Sequence, residues 1–498
     1  MRTVAVVGAG AAGTLTATRL LREALEPVHV LLVDPDLTTG RGVAYSTPDT
    51  RHLLNVPASG MSAYAEEPDH LVRWLRGSVA PDAQPHDFVP RAWYGAYLAT
   101  LLARAADTGP GRLTRVHDTV TRVEEHDGGL LLGTASGDPL EADAVVLALG
   151  TRPAATWAPD ELRASPRFVP DPWAPAALAD LPDGDVLLVG TGLTMVDVAI
   201  TADRPGRALH AASRHGVLPR THRLPTTPPV DPPNGLVHCT DLPSLRRLVE
   251  EHVLETLEIT GDWRPAIDGL RSVTTAVWQR LPDADKRAFL AEDARTWDAH
   301  RHRMPPVTRA RLDAVAEAGR LVQHVGSVAE VEETADGLDV RLTDGTTLHV
   351  GSVVNCTGPV ADLAADPLLG TLYAAGLVSP GAAGLGLATG PAGRVTGPTA
   401  APVWTLGSLR RGDLWESTAM PEIRVQAADV ARAVLAHLGD GTAALADPAV
   451  AARPTGAVGG LRHAASHESR NGAADPGPAG DRPDGRPAAR PAAGPVAP

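Results

Sequence analysis

Gly8, Gly10 and Gly13, followed at residue 34 by an aspartate, are the first residues whose types and spacing imply chemistry. They read GxGxxG in VAVVGAGAAG. Gly8 would make a tight turn, Gly10 would leave main-chain amides open to a diphosphate, and Gly13 would let a helix pack closely on a strand. The N-terminus of that helix favours the anion, and Asp34 would accept hydrogen bonds from ribose hydroxyls. A second glycine turn, VLLVGTG, keeps Gly190 and Gly192 but carries Met195 at the third position, which predicts a wider helix-to-strand contact. The strand after it, about 207 to 213, runs into Ser213, Arg214 and His215 where an acid would otherwise stand. Arg214 can pair with a 2′-phosphate, which favours NADPH over NADH.

The elements that must position these groups are legible around them. TVAVV at 3 to 7 reads as a buried strand, Gly10 to about Leu25 as a helix and VHVLLV at 28 to 33 as a second strand, together a βαβ unit. A Gly/Pro-punctuated stretch at 38 to 66 is too long for a plain connector, and such loops commonly carry function. Helices are expected near 68 to 76 and at about 91 to 106. Residues 111 to 151 then align without a gap to 319 to 359, matching at 14 of 41 positions, and this registers Gly150 with Gly358. Each copy reads as a three-stranded meander followed by a buried strand ending in that glycine, and each has its own glycine turn upstream.

The expectation is an α/β chain of two Rossmann-like dinucleotide-binding domains, each with a three-stranded β-meander. The first occupies 1–165 and the second 180–360, with a return to the first over 361–440. A helical insertion at about 225–318 interrupts the second. It opens with PTTPPVDPPNG and continues with helical patterns at about 242 to 259, 266 to 281, 283 to 298 and 307 to 318. A short strand at 403 to 407 and a helix at 421 to 438, with Pro421 in its first turn, follow. Residues 441–498 lack hydrophobic periodicity and read as a disordered tail.

The totals exclude several classes. A length of 498 residues exceeds the roughly 250 to 300 that one core supports. A formal net charge of −14 argues against duplex nucleic acid as a partner, since that needs a concentrated basic surface. Cys239 and Cys356 are the two cysteines and make no CxxC pair, so neither a disulfide framework, a cysteine zinc site nor disulfide reductase chemistry is expected, and no metal site is assigned. No apolar run approaches the roughly 18 residues of a membrane helix, and the N-terminus shows neither a cationic region nor a cleavage site. A cytoplasmic protein with no membrane partner is expected; its oligomeric state is left open.

GRGVAYSTPDTRHLLNVPASGM at 40 to 61, GTGLTMVD at 190 to 197, SRHGVLPRTH at 213 to 222, HRHRMPP at 300 to 306 and NCTGP at 355 to 359 carry a narrower likeness. As a set, over about residues 1 to 440, they resemble the FAD/NAD(P)-binding flavoprotein family that includes bacterial urate hydroxylase and the aspartate N-monooxygenase forming nitrosuccinate. The resemblance implies FAD in the first domain, NADPH in the second and a monooxygenase cycle. In that cycle NADPH reduces FAD, the reduced flavin takes up O₂, and a flavin hydroperoxide delivers one oxygen atom to a small polar substrate, N-hydroxylation included. It also implies that Asn55 and Pro57 approach the isoalloxazine, and that the segment around Gly407 with RRGDLWESTAMPE closes over it. The helix at 421 would then turn its dipole to the pyrimidine side.

Gly150 and Gly358 complete the glycines assigned to the cofactors. Arg301 and Arg303, flanking His302, are the candidates for binding an anionic group, an NADPH phosphate or a substrate carboxylate; a solvated basic helix end is the alternative. His52, His215 and His222 read as structural or phosphate-facing, and Cys356 as a small core residue. No catalytic side chain is singled out. Two other functions stay open: a reductase or dehydrogenase without oxygen insertion, and a non-enzymatic nucleotide-binding redox partner that docks through the insertion.

Overall fold

The two apolar runs that precede the glycine turns become central strands of two parallel sheets. The computed structural model describes residues 1–36, 38–150, 157–358 and 366–439. Arg2–Val7 pairs in parallel with Val28–Asp34 on one side and Ala144–Leu147 on the other, and Arg112–His117 and Val403–Thr405 form the edges. A strand covered on both faces admits only apolar side chains. Val4, Ala5 and Val6 are accordingly fully enclosed, each worth about 1 to 3 kcal/mol depending on its apolar area. The helices Ala11–Glu23, Arg91–Thr108 and Met420–Leu438 pack on one face. The meander Val120–His126, Gly129–Thr134 and Leu140–Ala142 packs with Pro367–Ala374 on the other.

The second sheet repeats the arrangement in the order Leu321–Val325, Leu209–Ser213, Val186–Val189, Ser352–Asn355 and Phe168–Val169. Its meander is Val328–Glu333, Leu338–Leu342 and Thr347–Val350. Both meanders carry a register shift at the same point, between Val120 and Arg122 in one and between Val328 and Glu330 in the other. The matched glycines have one reason: a Cβ on Gly129 would lie 2.8 Å from the Ala142 carbonyl oxygen, and one on Gly337 would lie 2.7 Å from that of Val350. Phe168–Val169 was not anticipated and draws the second sheet back ahead of residue 180, because a two-residue strand leading into Pro170 shows no periodicity.

The insertion forms the helices Leu242–Thr260, Arg264–Leu270, Thr274–Arg280, Asp283–Glu292, Ala294–Arg301 and Pro306–Glu317. Two of the expected helices are therefore broken. The first stops at Leu270, next to Gly269, whose Cβ would lie 1.7 Å from the Val230 carbonyl oxygen of the proline-rich loop, and a new helix starts at Thr274. The second breaks at Asp293, a poor interior residue whose carboxylate takes a hydrogen bond from Arg246 at 2.9 Å. Among the described residues no helix is long and apolar enough to cross a membrane. The tail expected to be disordered, 441–498, lies outside the described residues.

Candidate dinucleotide and substrate site

The two glycine turns share one geometry. Gly8 stands at φ +104° with its Cβ direction 2.4 Å from the Ala148 carbonyl oxygen, and Gly190 stands at φ +110°, 2.5 Å from that of Cys356. Neither position admits a side chain. Gly13 packs against the turn itself, since a Cβ there would lie 1.8 Å from the Gly8 oxygen. Met195, at the equivalent place in the second turn, is fully enclosed in the core of that half.

Gly10 and Gly192 differ from their neighbours. A Cβ on Gly10 would meet nothing nearer than Gly42 Cα at 3.5 Å, and one on Gly192 nothing within 4 Å. Both are helix caps with no side-chain hydrogen bond to the first turn. Bare amides at an open helix N-terminus are what a diphosphate needs, so both turns fit a dinucleotide. Asp34 braces the first turn: its carboxylate accepts the Ala9 N–H at 2.6 Å and the Asp36 N–H at 2.7 Å, and each oxygen keeps a second lone pair for a ribose hydroxyl.

Gly150 and Gly407 come together at the end of the first sheet. Both have positive φ, +67° and +74°, and open Cβ directions, and Ser408 Oγ donates to the Gly150 carbonyl at 2.5 Å. The Gly407 N–H donates to Gln426 Oε1 at 3.0 Å, while Gln426 donates to the Ser417 carbonyl at 2.9 Å, so one buried amide ties this loop to the helix Met420–Leu438. Gly358 is exposed, with open space at its Cβ.

Asn55 lies where the two halves meet. Its carbonyl oxygen accepts from His222 Nε2 at 2.8 Å, and Arg91 reaches its side-chain oxygen at 3.5 Å and the Leu53 carbonyl at 3.0 Å. Burial, with Arg303 nearby, pulls the His222 imidazole down to about 4, so it is a neutral donor. Arg91 also pairs with Asp197 at 2.8 Å, and burial raises the Asp197 carboxyl above its usual range despite that partner. His52 is a second latch between the halves, bonded to Thr47 Oγ1 at 2.7 Å and Thr201 Oγ1 at 2.8 Å. His215 is exposed at the end of its strand, as is Arg214. The neighbouring Ser213 hydroxyl lies 2.8 Å from that of Thr191, which puts Arg214 beside the second glycine turn.

Arg301 and Arg303 are not on a solvated helix end. Arg301 Nε donates to Glu416 at 3.1 Å, with both side chains about nine-tenths enclosed, and Arg303 donates to Asp268 at 2.5 Å. Burial opposes the charge on Arg301, but Glu416, Glu422 and Asp268 outweigh it and hold its pKa up. Burial likewise opposes ionisation of Glu416, and Arg301, His302 and Arg271 hold its pKa down. Among the described residues, Nη2 of Arg301 and Nε and Nη1 of Arg303 are buried with no protein acceptor. Both guanidinium groups therefore keep enclosed donor capacity beyond their ion pairs.

Several groups escaped the sequence reading. Arg295 donates to the carbonyls of Thr191, at 2.9 Å, and Val217, which stitches the insertion to the second glycine turn. Glu416 and Asp268 gave no linear signal, because their partners lie 115 and 35 residues away. Asp197 did give one, as the lone charge in LTMVDVAITA.

Both glycine turns have the geometry a dinucleotide needs, and residues 5–152 match the model of a family described as FAD-NAD(P)-binding. The uncharacterized protein YdhS of Escherichia coli (strain K12) is 26% identical over 237 residues, 44% of this chain and 43% of that protein, so the match spans less than half of that relative. The ornithine hydroxylase PvdA of Pseudomonas aeruginosa superposes with a TM-score of 0.56 at 14% identity, over 88% of this chain and 99% of that one. The ornithine N-hydroxylase KtzI of Kutzneria sp. 744, solved with reduced FAD, NADP⁺ and L-ornithine, gives 0.57 at 14% identity, over 87% and 99%. At these identities the likeness is one of fold.

Proposed function

We propose that this protein is an FAD-dependent, NADPH-consuming monooxygenase that hydroxylates a small metabolite bearing an anionic group, at nitrogen where the substrate offers an amine. The observation that carries the reading is the pair of open glycine turns on halves that meet at Asn55 and His222, beside the unused donors of Arg301 and Arg303. When bound, FAD supplies electron acceptance from NADPH and oxygen activation. The main chain at Gly8, Gly10 and Gly13 holds its diphosphate, Asp34 its ribose, and Gly150, Gly407 and Asn55 border its ring. Gly190, Gly192 and Gly358 take NADPH, with Arg214 on the 2′-phosphate. Arg301 and Arg303 orient the substrate anion.

The N-hydroxylating neighbours of the same fold support this assignment. So does the cysteine content: Cys239 and Cys356 are both buried and unpaired, and burial pushes the Cys356 thiol far up, so a dithiol relay has no residues to run on. The test is NADPH oxidation by the full-length protein under ¹⁸O₂ across amino acids, purines and aromatic amines. One labelled oxygen atom in the product is expected. NADPH consumption with unlabelled product would assign a reductase or dehydrogenase instead.

A further inference from the structure

The helical insertion, with Trp415, lines an open cavity of about 470 Å³ that none of the nucleotide-binding residues enters. Four of the nine tryptophans in a chain that is only 3% aromatic line it: Trp263, Trp278, Trp297 and Trp415. Two of their polar edges are spent elsewhere. The Trp278 indole N–H donates to the Gly412 carbonyl at 2.7 Å, and that of Trp297 donates to Glu416 at 3.1 Å. Two of the rings therefore turn their N–H groups away from the space, and Leu242, Val249 and Leu270 extend the same apolar lining. At its edge Arg246 is committed as well, to Glu292 and Asp293 at 2.6 Å each. A space of this size with apolar walls is typical of a small-molecule site and offers little to hold a polar ligand.

The cavity is built against the candidate site. Trp415 belongs to the loop after Gly407 and keeps φ +59° although it is not glycine, a conformation fixed by its stacking on Trp278 at 4.9 Å and edge contact with Phe289 at 5.1 Å. Trp297 and Arg301 donate to the same Glu416 oxygen from one helix, so the cavity wall and the buried cation are neighbours. The helix Arg264–Leu270 repeats the pattern, with Ile267 and Leu270 on the cavity and Asp268 on Arg303.

We infer that the cavity seats the hydrocarbon part of an amphiphilic substrate whose anionic head is held by Arg301 and Arg303. The identification of the occupant as substrate rests on the monooxygenase reading; the binding itself does not. Tryptophan fluorescence of the full-length protein, without NADPH, is titrated with straight-chain carboxylates from hexanoate to dodecanoate. Affinity is expected to rise roughly fourfold per methylene until the space is filled. Val249→Trp narrows the cavity, and in a variant that retains the wild-type unfolding midpoint it is expected to weaken decanoate binding by at least about tenfold. Arg303→Gln is expected to weaken every member by a similar factor and to leave the chain-length slope unchanged.

A flat dependence on chain length, a slope that survives Val249→Trp, or a sedimenting dimer that excludes the carboxylates would each overturn the inference. Chain-length-dependent binding with no ¹⁸O incorporation from any substrate would leave the cavity assignment standing and sink the monooxygenase. Oxygenation of a purely polar compound with no carboxylate binding would do the reverse.

Discussion

His222→Gln tests the junction between the two halves through pH. The His222 Nε2–H donates to the Asn55 carbonyl at 2.8 Å, and burial with Arg303 nearby brings the imidazole from its ordinary 6.5 to about 4. In the unfolded chain the proton binds near 6.5 and in the folded chain only near 4, so the unfolded state holds more protons between these values and stability falls as the solution is acidified through them. Taken over the whole interval, the loss is about 3 kcal/mol, and between about pH 7 and about pH 5 it is about 2 kcal/mol. A glutamine keeps an N–H for the Asn55 carbonyl and has no proton to gain. Urea unfolding of both chains at each pH measures the effect, and other buried histidines, His52 among them, cancel in the comparison. The variant is expected to lose about 2 kcal/mol less than the wild type on acidification. Equal losses in the two chains would refute a neutral, enclosed His222 at this contact.

Further outcomes follow from the same geometry. Gly13→Ala must push its methyl group into the Gly8 carbonyl, 1.8 Å away on ideal geometry, and should lower the urea midpoint sharply; a variant as stable as the wild type would mean the helix and strand are not in that contact. Arg301→Ala leaves Glu416 buried without its main cation and should cost about 3 to 5 kcal/mol in urea unfolding, with a loss under about 1 kcal/mol counting against the enclosed pair. Arg214→Ala should raise KM for NADPH at least about tenfold with little change for NADH, and matching losses for both would remove it from the 2′-phosphate.

What could be read from the chain alone follows from where the information lies. Gly8, Gly13 and Gly190 are fixed by collisions with main chain a few residues or one strand away, so spacing alone reveals them. The repeat was legible because both meanders obey one register, down to the shift after Val120 and Val328. Phe168–Val169 is too short to show a period, and the helix breaks near Gly269 and at Asp293 depend on the proline-rich loop and on Arg246, which local propensity does not see. The sequence marked Arg301 and Arg303 as candidates for binding an anion, with a solvated helix end as the alternative, and their burial beside Glu416 and Asp268 depends on contacts between distant segments. The cavity of the insertion was hidden for the same reason: its tryptophans are scattered from 263 to 415 and share a space only once the helices pack.

A flavin monooxygenase of this fold needs FAD over the first glycine turn, and Gly10 isolates that requirement, because its Cβ direction is clear of protein out to Gly42 Cα at 3.5 Å. Equilibrium titration of the full-length protein and its Gly10→Ala variant with FAD, followed by flavin absorbance alongside urea unfolding, measures it directly. The expected result is saturable FAD binding by the wild type, weakened at least about tenfold in the variant, with the unfolding midpoint of the apoprotein nearly unchanged. A wild type that binds no FAD, or a variant that binds it as tightly, would contradict the account.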